Sequence, residues 1–304
     1  MTVEQTYAAA GPDEPALLRH FGIGADQLLG SGGEARVFAL DRDRVLRILS
    51  PSSEPEESAD AINALLASWS GINLGFALPR VLEQGRWDVQ RYTIEARMPG
   101  LDGGRWLARV ESDQRRRAGL MTALEAATRL AELPLPRSGP GRPWQPEARF
   151  SSPAELYAAQ IEISLGANRK LLAALVPDLI RQQANLLHAL SARRIDPAFV
   201  HGDLAPANLI FSPDGRLGGV LDVSVHSLVA DPVLDLVGLV AFVELTPYPH
   251  ADADAAWLEA RLAEHLGADA WLIDAYRRYY ALYYAMDDQL LPWCAAQLNR
   301  RPAF

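Results

Sequence analysis

One break in pattern constrains this chain more than anything else in it. Before Met98-Pro99-Gly100 the sequence runs in short, β-branched stretches between turn residues; after it, apolar residues recur mostly at helical spacing. Such a chain cannot be one uniform sheet or one helical bundle. The division predicts an α+β protein of two lobes, a small β-rich one with a single helix over residues 1–97 and a larger, mostly helical one over 98–304. In the first, Arg36–Leu40 and Arg44–Leu49 read as a hairpin about Asp41-Arg42-Asp43, and Val81–Gln84 and Val89–Arg97 as strands about Gly85-Arg86. Between the two pairs, Glu56–Trp69 carries Ala59, Ile62, Leu65, Leu66 and Trp69 at helical spacing. In the second, Asp113–Glu132 reads as a long amphipathic helix, and Ser152-Pro153-Ala154-Glu155 as a capped helix start. Phe199–Val200, Leu209–Phe211 and Leu217–Leu221 read as short strands, with closing helices from about Asp231, Asp252 and Trp271.

Composition removes whole classes of function. With 38 acidic against 29 basic residues the net charge is −9, a poor match for nucleic acid or an anionic membrane. No stretch reaches the length of a membrane span, and the first residues lack a basic segment followed by an apolar one. The expected setting is cytoplasmic, with no membrane or nucleic-acid partner. The lone Cys294 excludes an internal disulfide framework and a cysteine-rich zinc site, and reads as a packed core thiol. No G-x-S-x-G elbow supports serine hydrolysis, and the scattered histidines form no H-x3-H pair.

The most specific signal is His201-Gly202-Asp203-Leu204-Ala205-Pro206-Ala207-Asn208, set between two strand signals, with Asp222 fourteen residues after Asn208. Asp and Asn often do no more than cap turns. A carboxylate, an amide and a second carboxylate in this order are also what phosphoryl transfer asks for: a base at the nucleophile and oxygen ligands for a metal on the phosphates. The string resembles the H-G-D-x4-N loop of the aminoglycoside phosphotransferase and choline kinase group, within the protein-kinase-like superfamily. Val220-Leu221-Asp222 and Asp231-Pro232-Val233-Leu234-Asp235-Leu236 are similar to the metal loop and following helix start of that group. The resemblance implies a bilobal kinase-like fold, ATP or GTP as donor, and Mg2+. It implies that Asp203 is the catalytic base, with His201 beside it, and that Asn208 and Asp222 are metal ligands. Asp235 would be a buried support for the loop; a solvated first-turn helix aspartate is the plainer reading. Val223-Ser224 stands where protein kinases carry Phe-Gly, which favours the small-molecule branch.

Upstream, Gly30-Ser31-Gly32-Gly33-Glu34-Ala35-Arg36-Val37 fits G-x-G-x-x-G-x-V with alanine in the third glycine place. Glycines there let backbone N–H groups approach phosphates. No lysine follows them, which excludes a P-loop, and the chain's sole lysine, Lys170, lies far away. Strand alternation puts Val45 and Arg47 on one face, so Arg47 stands where a kinase-like lobe has its phosphate-binding lysine, with Val37 and Val45 over the base. A surface arginine is the alternative. Glu57, or else Asp60, is the helix carboxylate that would orient that cation. Glu95-Ala96-Arg97-Met98-Pro99-Gly100 resembles the family's hinge, with backbone groups of Glu95 and Arg97 pairing the adenine edge.

The acceptor is a small molecule carrying a hydroxyl: an antibiotic such as an aminoglycoside, an amino sugar or another metabolite. Residues 246–290 hold eight acids against three arginines, and Asp287 and Asp288 are the best placed to draw a cationic acceptor. Acids that merely keep surface helices soluble explain the same count. Tyr276, Tyr279, Tyr280, Tyr283 and Tyr284 fit a packed helix face better than an aromatic acceptor platform. Arg47 and the missing third glycine leave a second class open, a catalytically silent nucleotide-binding module of the same fold.

Overall fold

A computed structural model describes residues 13–33, 35–50, 56–136, 139–145, 150–166 and 168–304; the side chains of Glu56 and Glu57 lie outside the description. Helix α1 (Glu14–His20) precedes strands β1 (Leu28–Ser31), β2 (Ala35–Ala39) and β3 (Arg44–Leu49). Helix α2 (Glu56–Ser68) follows, then β4 (Val81–Trp87) and β5 (Gln90–Ala96). The five strands form one antiparallel sheet in the order β1-β2-β3-β5-β4.

Register decides what each face of this sheet does. Residues directly opposite on antiparallel strands share a face. Phe38, Leu46 and Ile94 stand opposite one another, and that face buries against Leu17, Leu18 and Ile23 as a small core closed by α1. The other face carries two rows, Val37–Arg47–Thr93 and Ala39–Val45–Glu95. Strand alternation therefore places Val37, Val45, Arg47 and Glu95 together, as expected from sequence for the first three.

The β4–β5 turn lies three residues later than Gly85-Arg86. Asp88 takes a left-handed conformation (φ +53°), which aspartate tolerates, and the strands pair as far as Trp87 and Gln90. Gly85 instead stays in β4, where a Cβ would lie 2.3 Å from the Tyr92 ring.

The apolar side of α2 does not join the small core. Ile62, Leu65, Leu66 and Trp69 belong to the large core of the second lobe, and Trp69 donates its indole N–H to the Pro134 carbonyl at 2.8 Å. The chain then enters the second lobe through β6 (Leu101–Asp102), α3 (Gly103–Arg109) and α4 (Asp113–Ala131). Helices α5 (Pro153–Leu165), α6 (Arg169–Leu175) and α7 (Leu179–Ser191) follow. Ser152 caps α5 as its sequence predicts, accepting from the Glu155 amide, while the Glu155 carboxylate bonds to Ser151.

Next come β7 (Ala198–Val200), β8 (Leu209–Phe211), β9 (Leu217–Val220) and β10 (Leu228–Ala230). Strands β6, β8 and β9 make one small sheet, and β7 pairs with β10. The chain closes with α8 (Val233–Leu245), α9 (Ala251–Leu266), α10 (Trp271–Tyr283) and α11 (Leu291–Leu298). Helix α8 is apolar on nearly every side and accordingly buried, so the β7–β8 loop rests on the centre of the lobe. Among the described residues no helix is long and apolar enough to cross a membrane.

Candidate active site

The His201–Asn208 loop leaves β7 and re-enters the structure as β8. Two features force its course. Gly202 takes φ +81°, and a Cβ there would lie 2.1 Å from the His226 carbonyl oxygen, so only glycine fits. Beneath it, buried Asp235 in the first turn of α8 accepts the amides of His201 (2.6 Å) and Gly202 (2.8 Å). The buried-support reading of Asp235 is the one this geometry favours over a solvated helix aspartate. Burial pushes its carboxyl above the ordinary aspartate range, and the two amides work against that rise.

His201 is completely buried. Its Nε2 lies 2.7 Å from the Leu221 carbonyl and its Nδ1 accepts the Asp203 amide at 3.3 Å. A carbonyl can only accept and an amide can only donate, so the ring is neutral and protonated on Nε2. Both ring nitrogens are thus engaged inside the protein, and through them the ring holds the loop next to Asp203. Its bond to Leu221, together with the Leu221 amide on the Asn208 carbonyl (2.7 Å), ties the loop to the residue before Asp222.

Asn208 donates its amide to the Asp203 carbonyl at 2.8 Å and to Asp203 Oδ2 at 3.0 Å. Those two acceptors fix the amide's orientation and turn Oδ1 the other way. Asp222 holds φ +62°, an unusual backbone for a non-glycine residue, and its carboxylate points at the first lobe, where Arg47 Nη2 meets Oδ1 at 2.9 Å. Among the described residues there is no cluster of three or more His, Cys, Asp or Glu fit for a metal. Magnesium does not require one, being held by one or two protein oxygens together with phosphates and water. Asn208 Oδ1 and the Asp222 carboxylate are hard oxygen donors of that kind, and they fit Mg2+.

The sheet covers this loop. Arg47 Nη1 lies 3.9 Å from Glu95 Oε1, and the same oxygen accepts from Thr93 Oγ1 at 2.7 Å. The β1–β2 turn closes through the Gly32 amide on the Ala35 carbonyl (2.9 Å). Apart from the chain neighbours, no described atom lies within 4 Å of where a Cβ would stand on Gly30, Gly32 or Gly33, so among the described residues the space beside the turn is open. Ser31 between them keeps a buried hydroxyl oxygen with no described partner.

The hinge departs from expectation. Strand β5 stays between β3 and β4 through Glu95, and the Arg97 amide donates to the Asp43 carbonyl at 2.8 Å. The Arg97 N–H is therefore not available to an adenine edge, because the ladder to the β2–β3 turn already holds it. Glu95 contributes its side chain, toward Arg47. Asp60 is exposed on α2, and Glu57 lies outside the residues whose side chains are described.

Tyr284, just past α10, was not expected here. Its hydroxyl donates to Asp203 Oδ1 at 2.9 Å, so both oxygens of that carboxylate carry a protein hydrogen bond. Burial and the Asp203 charge push its phenol well above the usual tyrosine range, which keeps the donor proton in place. Tyr276, Tyr279 and Tyr280 are core residues, exposed by 2% or less. The helical stripe that spacing reveals is theirs, and no sequence signal separates Tyr284 from it. Asp287 caps a short turn by accepting the Gln289 amide, and Asp288 is exposed but accepts from buried Asn168 at 2.6 Å. Neither forms a hydrogen bond to the Asp203 cluster among the described residues.

A family model described as the phosphotransferase enzyme family matches residues 27–282. Solved structures with the same fold include a thermostable mutant of aminoglycoside phosphotransferase APH(4)-Ia in ternary complex with ADP and hygromycin B. That match has a TM-score of 0.68 and 17% identity, covering 94% of this chain and 96% of that one. ADP-bound APH(2'')-Ib matches with a TM-score of 0.58 and 17% identity over 93% and 95% of the two chains. A GDP complex of aminoglycoside 2'-phosphotransferase-IIIa matches with a TM-score of 0.60 and 18% identity over 93% and 92%. No curated protein matches at a significant level.

Proposed function

Because the chain belongs to the phosphotransferase enzyme family, we propose that it moves the γ-phosphoryl group of ATP or GTP onto a hydroxyl of a small molecule. The acceptor class that fits best is an aminoglycoside-like antibiotic, an amino sugar or a related metabolite. The observation that carries this reading is the Asp203–Asn208 pair. One amide fixes the carboxylate and at the same time turns its own oxygen outward, so base and metal ligand are set by a single side chain.

Each residue then has one task. Asp203 accepts the proton of the acceptor hydroxyl and aligns its oxygen for in-line attack. Asn208 Oδ1 and Asp222 hold Mg2+, which when bound neutralises charge on the phosphates. Arg47 forks onto phosphate oxygens, and open backbone at Gly30, Gly32 and Gly33 admits them. Ser31 offers its hydroxyl beside them, and Val37 and Val45 cover the base. Glu95 helps to orient Arg47 from β5, beside the helix carboxylate expected from α2, Glu57 or else Asp60, and Arg97 closes the hinge. Asp287 and Asp288 follow Tyr284 by three and four residues and supply the acidic wall for a cationic acceptor. In support, solved structures of the same fold carry ADP or GDP, and one carries hygromycin B.

The test is nucleotide consumption, with Mg2+, against a panel of aminoglycosides, amino sugars and amino alcohols. Turnover with at least one acceptor is expected, and Asp203→Asn should lower it by about 10²–10⁴-fold with nucleotide affinity nearly unchanged. Nucleotide-dependent thermal stabilisation with no turnover on any acceptor would establish the silent-module reading instead.

A further inference from the structure

We propose that Arg47 acts as a stand-in cation for Asp222, so that a divalent ion enters the site only together with a nucleotide whose phosphates draw Arg47 away. The proposal deepens the phosphotransfer reading and rests on it. Its starting point is one ion pair. Arg47 Nη2 and Asp222 Oδ1 are 2.9 Å apart, with 24% and 29% of the two side chains exposed. The pair joins β3 of the first lobe to the loop after β9 in the second, across 175 positions of sequence.

Of the two partners, only Arg47 can leave. Asp222 is anchored through its neighbour: Leu221 is bonded to Asn208 by its amide and to His201 by its carbonyl. Its left-handed backbone further restricts where the carboxylate can point. Arg47 is a long side chain rooted in a strand, and its second guanidinium nitrogen already has a carboxylate, Glu95, at 3.9 Å. A swing toward incoming phosphates keeps it on the face shared by Val37, Val45 and Glu95.

Charge makes the exchange obligatory. A guanidinium on one Asp222 oxygen neutralises the charge that would attract a divalent ion, and repels that ion at close range. A nucleotide reverses both effects. Its phosphates compete for the guanidinium fork, where arginine binds best, and they add oxygen ligands for the ion. Metal and nucleotide affinities are then strongly coupled, and by linkage each raises the other by the same factor.

Mn2+ binding followed by electron paramagnetic resonance, with and without ADP, tests this without any acceptor or turnover. Wild type should bind Mn2+ alone weakly and much more tightly with ADP. Arg47→Gln should bind Mn2+ alone about five-fold or more tighter than wild type, as loss of a partly buried ion pair implies. In that variant the tightening by ADP should shrink. Arg47→Lys, which keeps the charge, should stay close to wild type, and adding Asp222→Asn to Arg47→Gln should cancel the gain. A thermal melt confirms that the variants fold, with Arg47→Met as the replacement if Arg47→Gln does not. Mn2+ affinity in the folded, neutral variant no higher than in wild type would overturn the proposal. A wild type that binds no nucleotide would overturn the phosphotransfer reading, while the measurement with Mn2+ alone still decides what Arg47 does.

Discussion

Both oxygens of the Asp203 carboxylate carry a protein hydrogen bond, and the two bonds have different consequences. The Asn208 bond links the proposed base to a proposed metal ligand; the Tyr284 bond at 2.9 Å links it to the C-terminal helices beside which the acceptor is expected. A hydrogen bond to a charged group contributes about 1.5–3 kcal/mol. Tyr284→Phe keeps the ring packed against Phe242 at 5.5 Å between centroids and removes only the hydroxyl. The expected result is a kcat about tenfold lower, with the nucleotide dissociation constant and the melting temperature almost unchanged. Steady-state kinetics beside nucleotide titration checks it; an unchanged kcat would show that Asn208 alone holds the base. That Asp203, Asn208 and Asp222 come together was legible because their spacing is rare, and the structure joins them through Asn208 and Leu221. Tyr284 was not, because a tyrosine that donates to a base and one that fills a core obey the same helical spacing. Its role depends on where α10 ends, which is a tertiary fact.

At the scale of elements, long helices are fixed to one another by buried charge as well as by apolar packing. Arg116 of α4 and Asp254 of α9 are each exposed by no more than 1%, with Nε and Oδ2 2.7 Å apart. The guanidinium also donates to the carbonyls of Val110 and Glu111 and to the Asp113 carboxylate, and Tyr248 donates to Asp254 at 3.1 Å. Removing Asp254 leaves the buried guanidinium with only the exposed Asp113 carboxylate as a charged partner, and breaking a buried pair costs about 3–5 kcal/mol. Asp254→Ala should therefore lower the melting temperature by on the order of 10 °C. Arg116→Met combined with Asp254→Leu should recover much of that loss, as measured by calorimetry or denaturant melts; equal losses would point to packing rather than charge. Nothing in sequence pairs Arg116 with an acid 138 positions away, and the Arg115-Arg116-Arg117 run reads as a solvated face. The elements that were legible are the ones with several turns or clear alternation: α2, α4, β2, β3 and the helix starts at Ser152 and near Trp271. Two- and three-residue strands such as β6 and β10 have no period to detect and exist only because a partner strand lies alongside.

For the molecule as a whole, buried phenols make the fold sensitive to alkali. Six tyrosines, Tyr157, Tyr248, Tyr276, Tyr279, Tyr280 and Tyr284, are held above their ordinary range, with burial the largest cause in each. Burial likewise pushes the Cys294 thiol up to about 12. A group whose pKa is higher folded than unfolded contributes stability that is complete below the unfolded value and is lost as pH rises toward the folded one. The unfolded chain releases protons from the thiol near pH 8.5 and from the phenols near pH 10, while the folded chain retains them. Each group then removes about 1.4 kcal/mol of stability per pH unit, because the unfolded state binds fewer protons. Six phenols acting together would exhaust a typical stability of about 5–15 kcal/mol within one or two pH units above 10. Unfolding in alkali should accordingly be abrupt. Tyrosinate absorbance at about 295 nm should rise in step with loss of helical circular dichroism, and the Cys294 thiol should react with alkylating reagents only over that same interval. The largest buried group of phenols lies on α10, which packs on α5, α7, α8 and α11, so the transition should take the second lobe apart as one unit. A gradual tyrosinate titration centred near pH 10 with helicity retained would mean that these hydroxyls reach solvent in the folded state, and that the core about α10 is looser than its geometry shows.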